Sequence, residues 1–287
     1  MKKTYKALLC GAAAVAAVGI AYAMDERFFE KAKDKLTVFK CRANSKIMEQ
    51  ALPLTDAMFP GPKVVSGADS AKKIPEVLKE LNVNKVMIVT GPTVGRTIVP
   101  PIAENLERHG IGYTIYDQVE ANPSVKTVEA IRAQYLENGC DGFLAIGGGS
   151  PMDAAKAAAA RVAKPNTPIG KMAGLMKVMI KVAPIVAVPT TSGTGSEVTM
   201  GAVISDHDER HKYAIMDPNL VPKYAVLDPK LTVSMPKFVT ATTGIDALTH
   251  AVESYVTWAY NNNASNRNAE EAVVKIFRNL KRAYEDG

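Results

Sequence analysis

Four short apolar runs, "KVMIVT", "GYTIYD", "CDGFLAIGGG" and "APIVAVPTT", are separated by three helical patterns, "VPPIAENLERHGI", "SVKTVEAIRAQYLENG" and "PMDAAKAAAARVA". This alternation constrains the fold more than any other feature of the chain. Strand, helix and strand at this spacing build parallel βαβ units, and near-continuous hydrophobic strands are those covered by helices on both faces. A further helix, "AKKIPEVLKELNV", precedes the first run. Beyond the fourth run the character changes. "GAVISDHDERHKYAIMD" reads as two strands about a charged turn and "YAVLDPKLTVSMP" as a strand and a turn, and from Phe238 the pattern is helical to the end. The fold class expected is therefore α/β, with a parallel-sheet region followed by a helical one.

Two strand ends carry chemistry. "LAIGGGSPMDAAKA" runs from an apolar strand through three glycines into a helix. Glycines let a ligand approach the backbone closely, and a helix start offers unpaired N–H groups and a positive dipole end, which together suit a pyrophosphate. Gly148, Gly149 and Ser150 are the candidate contacts, with Asp153 in the first turn of the helix. The segment matches neither the G-x-G-x-x-G fingerprint nor a P-loop, so a plain tight turn is the competing reading. "VPTTSGTGSEVT" repeats the device with Thr190, Thr191 and Thr194, and ligands of open α/β sheets bind at that edge.

A second constellation lies in "GIDALTHAVESYV", where Asp246 and His250 stand four apart. Positions i and i+4 share a helix face, so the pair is either a hydrogen bond along the helix or two ligands of a metal. A protein-held metal takes three or four ligands, and the chain's other histidines are His109, His207 and His211. His207 and His211 read as solvent-facing residues of a charged turn, and His109 as structural at a helix end.

Composition excludes other classes. With 287 residues and 47% hydrophobic content the chain can bury a substantial core, and its net charge of +6 comes from scattered lysines. Aromatics make up only 6%, without the basic runs interleaved with aromatics that nucleic-acid binding requires, so no nucleic-acid partner is expected. Cys10, Cys41 and Cys140 are odd in number and lack metal-type spacing, which indicates a reducing compartment. The N-terminus, "MKKTYKALLCGAAAVAAVGIAYAM", has the layout of a signal peptide or of an N-terminal membrane-surface helix. Export would conflict with a cytoplasmic redox cofactor.

In this order, "GGGSPMDAAKA", "PTTSGTGSEVT", "KYAIMDP", "YAVLDPKLTVSMP" and "TATTGIDALTHAVESY" resemble the motifs of the iron-containing (group III) alcohol dehydrogenase family, whose fold is similar to those of dehydroquinate synthase and glycerol dehydrogenase. The resemblance extends from about Val65 to the end. It implies a Rossmann-like domain binding NAD or NADP, an all-helical domain holding Fe(II) or Zn(II), and hydride transfer between a primary alcohol or aldehyde and NAD(P). The divisions expected are residues 1–60 as hydrophobic segment and lead-in, 61–236 as dinucleotide-binding domain, and 237–287 as the beginning of the metal-binding domain. By the same resemblance Gly148, Gly149, Ser150, Thr190 and Thr191 contact the dinucleotide, Asn122 lies near the adenosine, Lys212 along the nicotinamide ribose, and Leu227 in a further contact stretch. Asp246 and His250 match the first two metal ligands. The family's other two are histidines in a segment beyond Gly287, which marks the chain as a C-terminally truncated member. Many members carry an aspartate where this chain has Gly91, so NADP becomes acceptable beside NAD. The implied protein is cytoplasmic and, when full length, a homo-oligomer. Alternatives are a non-catalytic NAD(P)-binding protein and a dehydroquinate synthase or glycerol dehydrogenase type of enzyme on the same fold.

Overall fold

The computed structural model describes residues 61–257 and 263–286. The signal-like segment and the lead-in lie outside the described residues. The chain divides into two compact units, one of residues 61–249 with 274–286 and the other containing residues 250–257 and 263–273.

The first unit is built on strands β1 (Lys63–Ser66), β2 (Lys85–Val89), β3 (Gly112–Tyr116), β4 (Gly142–Gly147), β6 (Ile185–Pro189) and β9 (Tyr224–Leu227). They form one sheet in the order β1-β9-β6-β4-β2-β3, and every pairing is parallel. The connections run through α1 (Ile74–Glu80), α2 (Pro92–Thr97), α3 (Val99–Arg108), α4 (Val125–Glu137) and α5 (Gly149–Ala163). Since β3 lies on one side of β2 and β4 on the other, the chain reverses direction across the sheet between β2 and β4. That reversal opens a crevice at the carboxyl ends of the strands.

Alternation along each strand feeds two separate cores. Met87, Val89, Phe143, Ala145 and Ala187 face one cluster with α4 and α5, whereas Val86, Ile88, Leu144, Ile146, Val186 and Val188 face another with α1 and α3. Burial of both faces is why these strands carry so few polar residues. The alanines of α5 are wholly buried from Ala157 to Ala160, so this helix sits close against the sheet. Local chemistry fixes the helix starts: Pro100 and Pro101 fall in the first turn of α3, and the Ser124 hydroxyl accepts the Thr127 N–H at 3.2 Å to cap α4.

A second sheet, in the order β5-β8-β7, joins β5 (Gly174–Leu175), β7 (Gly201–Asp206) and β8 (His211–Met216), with the short helix α6 (Ile169–Met172) just before β5. The charged turn between β7 and β8 is as expected, while α6 and β5 carry no periodicity that would announce them. Nor does β1. Three of its four residues are exposed, and what makes it a strand is pairing with β9, Lys63 against Tyr224 through Ser66 against Leu227. The C-terminal helical pattern resolves into two helices, α7 (Lys237–Val256) and α8 (Asn263–Asp286), rather than one continuous run. No helix among the described residues is long and apolar enough to cross a membrane.

Candidate functional site

The carboxyl ends of β2, β4, β6 and β9 present Gly91, Gly148 and Gly149, Thr190 and Thr191, and Leu227 along one edge of the sheet. At the end of β4 the backbone needs glycine. Gly147 has φ of 149°, and a Cβ on it would lie 2.7 Å from the Pro151 ring. Gly148 then occupies the N-cap of α5 in an extended conformation with no side chain capping the helix, so the first N–H groups of α5 open toward the edge.

The second glycine turn folds over the first. A Cβ on Gly148 would lie 3.1 Å from the Thr191 hydroxyl oxygen, and one on Gly149 would lie 3.2 Å from the Thr194 methyl. Two segments more than forty residues apart thus meet within one side-chain layer. Thr190 is buried, and its N–H extends the sheet by donating to the Gly147 carbonyl at 2.9 Å. Its part is to fix the start of the turn, and Thr191 and Thr194 present the hydroxyls.

The loop carrying Asn122 arrives from β3. Glu120 accepts hydrogen bonds from the Ser124 N–H at 2.8 Å and the Thr127 hydroxyl, and the Ser205 N–H of β7 donates to the Pro123 carbonyl at 2.8 Å. So held, Asn122 adopts φ of 56°, a left-handed conformation asparagine tolerates. Its N–H donates to the Ser150 hydroxyl at 3.3 Å, and its side-chain oxygen accepts from the Lys212 ammonium of β8 at 3.0 Å. Asn122, Ser150 and Lys212 are therefore joined directly, beside Gly148, Gly149, Thr191 and Thr194. Gly91 lies at the end of β2, at the N-cap of α2, where a Cβ would be 3.2 Å from the Val119 carbonyl.

Asp153 faces inward. Its carboxylate accepts from the Ser196 hydroxyl at 2.9 Å and from the Val203 N–H at 3.0 Å, so both oxygens bind protein groups rather than reaching the edge as expected of a cofactor contact. Burial pushes this carboxyl above its ordinary range, against the opposing pull of the Val203 N–H and the Lys156 charge. Lys156 is the residue the sequence reading did not single out. It is completely buried, with its ammonium among oxygens of Ser196, Thr199 and Gly201. Its signal is a charged residue one turn after Asp153 inside an alanine helix that is buried all round.

Beyond the second turn lies a cavity of about 990 Å³, lined by Thr191, Gly193, Glu197, Leu227, Thr243 of α7 and Asn279 of α8, among others. Close packing bounds it. A Cβ on Gly193 would come 2.5 Å from the Thr243 carbonyl oxygen, and one on Gly244 2.3 Å from a Leu280 methyl.

Asp246 and His250 stand one turn apart on α7. Among the described residues no group of three or more His, Cys, Asp or Glu side chains gathers as a metal shell. His207 and His211 belong to the exposed β7–β8 hairpin, and His109 ends α3 with its Nδ1 2.8 Å from the Asn105 carbonyl.

The sequence matches the family model for iron-containing alcohol dehydrogenases over residues 61–229 and the C-terminal model of the same family over residues 240–287. It is 36% identical over 233 residues to choline dehydrogenase of Bacillus subtilis (strain 168), covering 80% of this chain and 58% of that protein. Among solved structures, the alcohol dehydrogenase from Oenococcus oeni superposes with a TM-score of 0.76 at 31% identity, covering 80% of this chain and 60% of that one. The sulfoacetaldehyde reductase from Bifidobacterium kashiwanohense, solved in complex with NAD+, gives 0.72 at 28% identity, covering 78% of this chain and 59% of that one. The chain therefore spans little more than half the length of these relatives.

Proposed function

Given that the chain belongs to the iron-containing alcohol dehydrogenase family, we propose that it binds NAD(P) at the carboxyl edge of its parallel sheet, for hydride exchange with a primary alcohol or aldehyde. The observation that carries this reading is the layering of the two glycine turns, Thr191 over Gly148 and Thr194 over Gly149. A Cβ at either glycine would crowd those threonines and intrude on the space in front of the α5 N-terminus, which is what a pyrophosphate needs left open.

The residues fit the dinucleotide. The α5 N–H groups would meet the pyrophosphate charge and the Lys212 ammonium would lie along the nicotinamide ribose, while the Thr191, Thr194 and Ser150 hydroxyls offer hydrogen bonds to phosphate or ribose. Leu227 supplies part of the apolar lining of the cavity. At Gly91 no carboxylate repels a ribose 2′-phosphate, so the edge accepts NADPH as well as NADH. Once bound, the nicotinamide would supply the hydride donor or acceptor. Around it the chain's own residues orient the ring, exclude water through the packed second turn, and leave the adjoining cavity for a small alcohol.

Asp246 and His250 would offer an oxygen and a nitrogen ligand to iron(II) or zinc(II), both compatible with that donor chemistry. No step of this reading runs through the metal. A second reading, a nucleotide-binding chain without turnover, needs only the sheet edge, whose Asn122, Ser150 and Lys212 are joined without α7. Fluorescence titration with NADH and NADPH, followed by an assay with primary alcohols, tests both. Saturable binding with alcohol oxidation supports the enzyme, binding alone supports the second reading, and no binding up to millimolar nucleotide overturns both.

A further inference from the structure

Within α5, seven residues beyond its first, Lys156 is completely buried in a helix otherwise lined with alanine. Its ammonium has three protons, and three backbone carbonyls lie in reach: Ser196 at 2.7 Å, Thr199 at 2.9 Å and Gly201 at 2.9 Å. The hydroxyls of Ser196 at 3.0 Å and Thr199 at 3.3 Å complete the enclosure. All five oxygens belong to the segment that leads from the second glycine turn into β7.

The segment cannot shift without dragging the cradle. Ser196 donates its hydroxyl proton to Asp153 on the same helix, and its N–H donates to the Thr194 hydroxyl oxygen at 3.3 Å. Thr194 is the residue packed on Gly149. An unbroken chain of contacts thus runs from the Lys156 ammonium through Ser196 and Thr194 to the first residue of α5, on the face where the phosphates would lie.

We propose that Lys156 is a positioning residue of the phosphate cradle, whose ammonium clamps residues 196–201 to α5 and so sets the height of Thr191 and Thr194 above Gly148 and Gly149. This role rests on the nucleotide reading above. It requires the third proton, because a neutral amine leaves one of the three carbonyls without a donor. Burial pulls the Lys156 amine down to about 8, opposed by the charges of Asp153 on its own helix and Glu197 on the clamped segment. The clamp is therefore intact at neutral pH and weakens as the pH rises through about 8.

The test measures NADH affinity of the whole chain from pH 7 to 9.5, together with amide exchange over residues 194–201, in the wild type and in Lys156→Met. The wild type should lose affinity above pH about 8. Lys156→Met, shown folded by circular dichroism, should bind NADH at least about tenfold more weakly at pH 7, show a flat pH profile, and exchange the 194–201 amides at least about tenfold faster. A general loss of packing would not flatten the profile. Affinity within twofold of the wild type in the variant overturns the clamp while leaving the nucleotide reading intact. Absence of NADH binding by the wild type overturns that reading and this role with it. Should Lys156→Met not fold, the wild-type profile decides, since constant affinity across the range overturns the proposal, and Ser196→Ala should weaken NADH binding by a few fold.

Discussion

The sheet edge and helix α7 each present residues that the sequence marked as ligands, and they differ in how those residues come together. At the edge, Asn122, Ser150, Thr194 and Lys212 come from four segments scattered over ninety positions, Asn122 bonding Ser150 and Lys212 while Thr194 packs on Gly149 beside Ser150. On α7, Asp246 and His250 are neighbours because any residues four apart on a helix are neighbours. Convergence from distant segments is something only a particular fold produces, whereas i, i+4 proximity comes with every helix. The edge therefore supports a functional assignment by its geometry alone, and the α7 pair depends on family membership for its reading.

The contrast can be broken most decisively at Gly149. Gly149→Val places two methyl groups where Thr194 packs, and NADH affinity should fall by on the order of 100-fold, as read by fluorescence titration of a variant with a wild-type circular dichroism spectrum. Normal binding would mean that the nucleotide lies elsewhere. Next in size, Gly91→Asp should weaken NADPH by on the order of 30-fold while leaving NADH within a few fold, because one carboxylate is set against a doubly charged phosphate. Equal losses for the two nucleotides would remove Gly91 from the ribose end. Lys212→Ala should reduce affinity for both by only about threefold, since this exposed side chain acts through a solvent-screened charge. The smallest effect belongs to α7. Asp246→Ala should leave NADH affinity within twofold of wild type, and a larger change would tie the helix to the nucleotide site.

Much of this was legible in the sequence because it depends on local pattern. The β2, β4 and β6 strands announced themselves as unbroken apolar runs, since burial on both faces permits nothing else. The glycine turns were legible because close backbone approach demands glycine. What escaped was specified by partners far along the chain. β1 exists through its pairing with β9, and β5 through two residues paired with β8. The sequence puts Asp153 in the first turn of its helix as a phosphate-side residue, but α5 starts at Gly149, so Asp153 lies beyond the first turn, and its side chain is turned inward by what packs there, Ser196 and Val203. Lys156 was overlooked for the complementary reason. A lysine is ordinarily a solvated residue, and only the three carbonyls gathered around it by tertiary structure make its burial tolerable.

The most direct measurement is a calorimetric titration of NADH into the purified chain after dialysis, with iron and zinc determined on the same sample. One saturable site per chain is the expected result, because the residues proposed to hold the nucleotide are already joined along the sheet edge. Absence of saturable binding would contradict the account, and a full equivalent of metal retained through dialysis would favour the reading with turnover over nucleotide binding alone.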